Sequence, residues 1–341
     1  MANKTVLDFE KSIADLDDNL AKLRQIVADR AHPENTENLP GEIANLEDHR
    51  TAILRELFAR LTPWDKVLLA RHERRPYTLD YIQAMMTDFR ELHGDRSYAD
   101  DGAIVAGLAR LGDIPIAVIG HQKGRDIKQR QHRNFGYAHP EGYRKAARVM
   151  KLAAKFGVPI VTLIDTPGAA ADVADDERGI SEAIARTMYE MSELPVPIVS
   201  AVVGEGGSGG ALGIGVANRV LMLEHSIYSV IAPEGCSAIL WRDPERKADA
   251  ASALNLTAQH ALKLGIIEEI VPEPLGGAHR DWAATAENLK EALLRNLRPL
   301  MKSSGDDLAK QRYQRFRAIG RYHEEALVEK RNGHKPPGGA E

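Results

Sequence analysis

The chain has 341 residues, 43% of them hydrophobic, enough for one large core or two ordinary ones without disulfide staples. Its 45 basic and 49 acidic side chains nearly balance, so no global field points to nucleic acid or to an anionic membrane. The single cysteine, Cys236, excludes a disulfide framework and a zinc site built from paired cysteines of this chain; with no apolar leader and no run approaching about 18 uninterrupted apolar residues, the expectation is a soluble cytoplasmic protein.

Along the chain, Phe9, Ile13, Leu16, Leu20, Leu23 and Val27 recur at steps of three and four, which draws one apolar stripe on a charged helix. After the turn-like HPENTENLPG a second stripe runs through Ile43, Leu46, Ile53, Leu57 and Leu61. The spacing predicts an antiparallel helical hairpin over residues 5–61, so that 1–62 form an N-terminal unit suited to packing against a partner. From Thr78, read as an N-cap, LDYIQAMMTDFREL predicts a further helix. AIVAGLARL and IPIAVIG then read as strands joined at Gly112-Asp113. PEGYRKAARVMKLAAKFG reads as a helix between Pro140 and Gly157, followed by the buried-strand run VPIVTLID. ERGISEAIARTMYEMSEL predicts the next helix, VPIVSAVVG the next strand, and RVLMLEHSIYSVIAPEG returns to an extended pattern. Strands alternating with helices imply an α/β fold, and the repeated strand, turn and helix look like one duplicated unit over residues 63–300. Helix returns from Trp282 to Leu297 and on to about Val328, making 301–328 a C-terminal helix; 329–341 read as a disordered tail.

The stretch GEGGSGGALGIG, residues 204–215, puts seven glycines into twelve positions. Three readings compete. Gly204, Gly206 and Gly209 spell G-x-G-x-x-G with Glu224 further on, the formal dinucleotide fingerprint. Gly206, Ser208 and Gly210 spell the G-x-S-x-G nucleophile elbow, for which His225 or His260 would have to serve. In the third, consecutive glycines opening a helix present bare main-chain N–H groups, aided by the positive helix end, to a developing oxyanion, with no reactive side chain at all. Elsewhere HQKGRDIKQRQHR carries five Lys or Arg in 13 residues and reads either as a phosphate cradle or as a solvated surface. Glu205 and Glu234 flank turns and read as caps, and Cys236 as a small buried residue.

DTPGA at 165–169, GEGGSGGALGIG, YSVIAPEGCSAILW at 228–241 and VPEPLGGAHR at 271–280, with RRPYTLDYI, GDRSYADD, GHQKGR and NFGYAHPEGYRKA, resemble the alpha subunits of the carboxyltransferase component of bacterial acetyl-CoA carboxylase, from about residue 5 to 318. The resemblance implies the crotonase fold of repeated ββα units. It implies a biotin-dependent carboxyltransferase, active only with its beta subunit, that moves a carboxyl group from carboxybiotin on the biotin carboxyl carrier protein to acetyl-CoA. The product is malonyl-CoA, at the first committed step of fatty acid biosynthesis. The partners implied are a zinc-ribbon beta subunit in an alpha2beta2 heterotetramer, the carrier protein and biotin carboxylase, with ATP binding among the properties of such an enzyme. Biotin would not be covalently bound here, and no metal is expected in this chain. Onto this sequence the family carries Gly206 and Gly207 as the catalytic pair whose N–H groups polarise the biotin ureido oxygen. The pocket candidates are Gly168, Ala169, Gly204, Ser208, Gly209 and Gly210, and the anion-binding candidates Lys123 and Arg125. Where the family continues DTPGA with Tyr-Pro-Gly, this sequence has Ala170, Ala171 and Asp172. The alternatives are another biotin-dependent acyl-CoA carboxyltransferase or decarboxylase subunit, or a non-catalytic scaffold paralogue.

Overall fold

A computed structural model describes residues 6–29 and 38–320. The tip of the expected hairpin, the helical run towards Val328 and the tail at 329–341 lie outside the described residues. A short 3-10 turn at Asp8–Glu10 leads into α1 (Lys11–Asp29), and α2 (Leu39–Ala59) packs along it. Ile13 and Leu20 of the first stripe are buried, whereas on α2 the buried residue is Leu54, next to the stripe residue Ile53, and the stripe itself is half-buried.

This hairpin is fastened to the body by a buried carboxylate. Glu10 is 2% exposed, and its Oε1 accepts from Arg280 Nε at 3.0 Å and Nη2 at 2.9 Å and lies 3.1 Å from His279 Nε2. Arg280 Nη1 reaches on to Asp17 Oδ2 at 2.6 Å. Burial would raise the Glu10 pKa, but His279 and Arg280 outweigh it and hold the carboxyl below its ordinary value. Replacing Glu10 by Ala removes the acceptor of Arg280 Nε and Nη2 and the partner of His279 Nε2, and is expected to cost about 2 kcal/mol. Thermal unfolding reads this directly, and an unchanged midpoint would refute the fastening.

Two short helices follow. α3 (Pro63–Ala70) is closed by a reciprocal cap in which Thr62 Oγ1 accepts from Asp65 N at 3.2 Å and Asp65 Oδ2 accepts from Thr62 N at 2.9 Å. α4 (Thr78–Met85) is half the length expected. Thr78 is its first helical residue and not its cap; its hydroxyl donates to His121 O at 2.6 Å. The chain turns extended at Met86 and continues as strand β1 (Thr87–Glu91), because pairing with a neighbouring strand wins over the helical pattern of TDFRE.

The sheet comprises β1, β2 (Ile104–Leu111), β3 (Ile114–His121), β4 (Ile160–Thr166), β5 (Ile198–Gly207), β6 (Arg219–Leu223) and β8 (Glu269–Val271) in that order, with β7 (Ile227–Ser229) against the end of β5. The first three strands are antiparallel, with the β2–β3 turn at Gly112 (φ +62°) and Asp113 as expected; from β3 onward the pairing is parallel. The remaining α-helices among the described residues are α5 (Ile127–His132), α6 (Pro140–Lys155), α7 (Val173–Glu177), α8 (Ile180–Glu193), α9 (Ser208–Leu212), α10 (Pro233–Trp241), α11 (Lys247–Ala253), α12 (Ala258–Lys263), α13 (Trp282–Leu300) and α14 (Gly305–Arg317).

β4 and β5 read as continuous apolar runs because both faces are covered. Ile160 and Ile164 of β4 and Ile198 and Val202 of β5 meet α6 and α8 through Val149, Met150, Ala183 and Met191. The alternate residues Val161, Leu163, Val199 and Ala201 meet α4 and α13 through Tyr81, Leu289, Leu293 and Leu297. The C-terminal helical run is broken after Leu300, and Ser304 caps α14 by accepting from Asp307 N at 3.2 Å.

Candidate active site

The parallel strands β4 and β5 end side by side, which brings the DTPGA and GEGGSGGA stretches together. A Cβ on Gly204 would lie 2.4 Å from Asp165 Oδ1, one on Gly207 2.1 Å from Pro167 O, and one on Gly210 2.4 Å from the carbonyl carbon of Gly168. These three positions are glycine because main chain and a carboxylate pass so close that a Cβ would overlap them. Gly206 faces Tyr228, whose Cδ2 would be 2.9 Å from an added Cβ, while at Gly209 the nearest atom, Ile184 Cδ1, would be 3.8 Å away. Thr166 Oγ1 donates to Gly136 O at 2.7 Å and accepts from Gly168 N at 3.1 Å, pinning the turn after β4. Ala169 bridges to Ala138, and Asp172 caps α7 by accepting from Asp175 N at 2.9 Å, so the segment at 170–172 has a local structural role.

This geometry removes two of the readings of the glycine stretch and trims the third. Gly206 belongs to β5, Glu224 accepts from Glu273 N at 3.2 Å, and α9 is a single turn of five residues, so the strand, loop and long helix of a dinucleotide site are not formed. Ser208 is exposed with φ +49°, but His260 Nδ1 lies 2.9 Å from Thr257 Oγ1 and His225 packs its ring on Phe58, which leaves no elbow chemistry. The expected help from a helix end is small, because five residues carry little dipole.

A cavity of about 520 Å³ opens beside this junction, lined by Arg71, Tyr77, Lys123, Arg130, Pro167 and Glu205 among others. Its wall alternates in charge. Lys123 Nζ donates to Asp165 Oδ1 at 2.6 Å and lies 4.0 Å from Glu205 Oε2. Glu205 Oε1 accepts from Arg71 Nε at 2.9 Å and Nη2 at 2.7 Å, and Arg71 Nη1 donates to Glu234 Oε1 at 2.6 Å. Burial would lower the Lys123 and Arg71 pKa values, but the facing carboxylates outweigh it and raise both. Arg71 likewise outweighs burial at Glu234 and holds it below its ordinary value. A second, apolar cavity of about 560 Å³ is lined by Ser208, Gly209, Leu212, Tyr228, Leu264 and Phe316. Gly206 and Gly207 are buried at the strand end between the residues that line the two cavities.

Lys123, one of the two anion-binding candidates, lines the charged cavity. Arg125 does not: its guanidinium is stacked 4.5 Å from the Tyr77 ring centroid and 4.4 Å from that of Trp282, and it bonds Asp80 and the Glu73 carbonyl. It is a strut, and Arg71 and Arg130 line the cavity in its place. Glu205 and Glu234, read as caps, are the partners of Arg71, and Cys236 is buried in α10 as expected. Asp165 and Arg71 escaped the sequence reading. The available signal was an ionisable residue closing the apolar run VPIVTLID, a burial that is costly without partners.

The sequence profile of the family described as acetyl co-enzyme A carboxylase carboxyltransferase-like matches residues 6–320. The acetyl-coenzyme A carboxylase carboxyl transferase subunit alpha of Halorhodospira halophila is 52% identical over 317 residues, covering 93% of this chain and 98% of that relative. Its counterpart in Azotobacter vinelandii is 52% identical over 319 residues, covering 94% and 99%. Among solved structures, a Pseudomonas malonate decarboxylase hetero-tetramer in complex with coenzyme A aligns with a TM-score of 0.56 at 17% identity, over 69% of this chain and 91% of that one. The transcarboxylase 12S structure with methylmalonyl-coenzyme A aligns with a TM-score of 0.54 at 20% identity over 67% of this chain, which spans less than half (43%) of the 12S chain. These likenesses give the fold, the crotonase type expected. On the profile match and the identity over nearly its full length, the chain belongs to the acetyl co-enzyme A carboxylase carboxyltransferase-like family.

Proposed function

We propose that this chain is the alpha half of an acetyl-CoA carboxyltransferase, which forms malonyl-CoA from acetyl-CoA and a carboxyl group delivered on biotin. The observation that carries this is 52% identity over 98% of a relative named as that subunit. The charged cavity beside the glycine junction supports it. The residues present suit a biotin ring and its carboxyl group: about 520 Å³ of room, apolar walls from Tyr77 and Tyr137, and donors from Lys123 and Arg71. When bound, carboxybiotin supplies the activated carboxyl group. The chain's own part is electrostatic. Lys123 and Arg71 are held rigidly by carboxylates, so their N–H groups face a partly enclosed site without reorganising, and the main chain at Gly206 and Gly207 is the assigned donor to a developing oxyanion. No side chain is asked to act as nucleophile. The proposed partners are a zinc-ribbon beta subunit, in an alpha2beta2 assembly, and the biotin carboxyl carrier protein, itself charged by biotin carboxylase; ATP binding falls to another subunit.

The test is the reverse reaction, malonyl-CoA plus a free biotin derivative giving acetyl-CoA. It is run with this chain alone and with a zinc-ribbon beta subunit from the same source. Turnover is expected only in the mixture. Turnover by this chain alone would overturn the half-site reading, and none in the mixture would overturn the activity.

A further inference from the structure

We infer that Asp165 is a positioning residue of the transfer site: its buried carboxylate fixes the main chain leading into Gly206 and Gly207 and holds the Lys123 ammonium at the cavity wall. The inference rests on the carboxyltransferase reading above. Asp165 ends β4 at 1% exposure. Its Oδ1 accepts from Lys123 Nζ at 2.6 Å and from the Glu205 N–H at 2.9 Å, one residue before the glycine pair. Its Oδ2 is buried with no hydrogen-bond partner among the described residues. Such a half-satisfied carboxylate is a poor choice for stability, so its use lies in what it holds. The main chain is matched to it, since any side chain at 204 would strike Oδ1. Through the Glu205 N–H bond the same carboxylate sets the residue whose side chain grips Arg71, so one acid orders two of the cations that line the cavity. Burial works against charge on Lys123, and Asp165 is the foremost group opposing that effect, followed by Glu205.

Asp165→Asn keeps the shape and an acceptor for the Glu205 N–H but removes the charge facing Lys123. In the complex with the beta subunit, kcat for transfer is expected to fall roughly 10- to 100-fold with the KM for acyl-CoA within about threefold. With burial less opposed, Lys123 loses its proton at lower pH, so the alkaline limb of the rate profile moves down in pH. Adding Lys123→Arg, whose charge does not titrate in this range, is expected to abolish that moved limb. A parental kcat or a parental pH profile in Asp165→Asn overturns the inference. Should that variant fail to assemble, Lys123→Met, which leaves the Asp165–Glu205 bond in place, is expected to show the same loss of kcat, and full activity there overturns it equally. An inactive parent complex overturns the carboxyltransferase reading and this inference together; an active parent with an unaffected Asp165→Asn overturns the inference alone.

Discussion

Gly207→Ala is expected to lower carboxyl transfer by roughly two to three orders of magnitude, the scale of losing one pre-organised oxyanion donor. The added methyl would lie 2.1 Å from Pro167 O, 2.4 Å from Pro167 C and 2.9 Å from Thr166 O, all main-chain atoms that cannot swing aside. Either the end of β5 or the turn after β4 must move, and a displacement of about 1 Å at a reacting centre costs on the order of a hundredfold. Gly206→Ala makes a useful contrast. Its nearest neighbour is the ring edge of Tyr228 at 2.9 Å, a side chain that can turn, so a loss of about tenfold is expected. Both variants are measured in the reverse reaction with the beta subunit, beside circular dichroism and a test of assembly. Activity within threefold of the parent in an assembled Gly207→Ala complex would remove the glycine pair from the mechanism.

The contrast between these glycines also shows how far the sequence could be read. The helical hairpin was legible because stripes such as Ile13, Leu16, Leu20 and Ile43, Leu46, Ile53 follow a period that only a packed helix rewards, although the most buried residue of α2 is Leu54, beside its stripe. The strands β4 and β5 were legible because they are buried on both faces and so carry unbroken apolar runs. β1 was not, since its identity depends on pairing with β2, some 20 residues away, and its own residues fit a helix equally well. The glycine stretch announced a place where main chain must come close, but not what it approaches. That answer is Asp165 and Pro167, about 40 residues earlier, met only once parallel pairing aligns the two strand ends. Arg71 lies 134 residues from Glu205, just past the end of α3, so no local spacing could have joined them. Arg125 shows the converse: a basic stretch states that charge is present, and only the neighbouring Tyr77, Asp80 and Trp282 decide that this one is structural.

The largest expected loss of stability lies at the Arg75–Glu273 pair, against β5. Both side chains are fully buried. Arg75 Nε donates to Val203 O of β5 at 2.6 Å and Nη1 to Glu273 Oε2 at 3.1 Å, while the Glu273 carboxylate also accepts from His225 N at 2.9 Å and Ala278 N at 2.7 Å. Four segments of chain, around Arg75, Val203, His225 and Glu273, thus meet at this pair. Glu273→Ala strands a buried guanidinium and two main-chain N–H groups, so a cost of about 3–5 kcal/mol is expected, the range for breaking a buried pair from one side. At roughly 2–4 °C per kcal/mol for a chain of this order of size, the thermal midpoint drops by something like 10 °C. The pH dependence has a definite sign. Burial alone would raise the Glu273 pKa, but the opposite charge of Arg75 outweighs it and lowers it from 4.5 to about 2. A depressed carboxyl stabilises the fold above its unfolded value and ceases to do so as the pH falls through the folded one. The gap between parent and Glu273→Ala is therefore expected to be full at neutral pH and to close between about pH 4.5 and 2. Denaturant unfolding across that range measures it. A gap that stayed constant as the solution was acidified would mean that packing, and not the charge pair, joins the segments of Arg75 and Glu273 to β5.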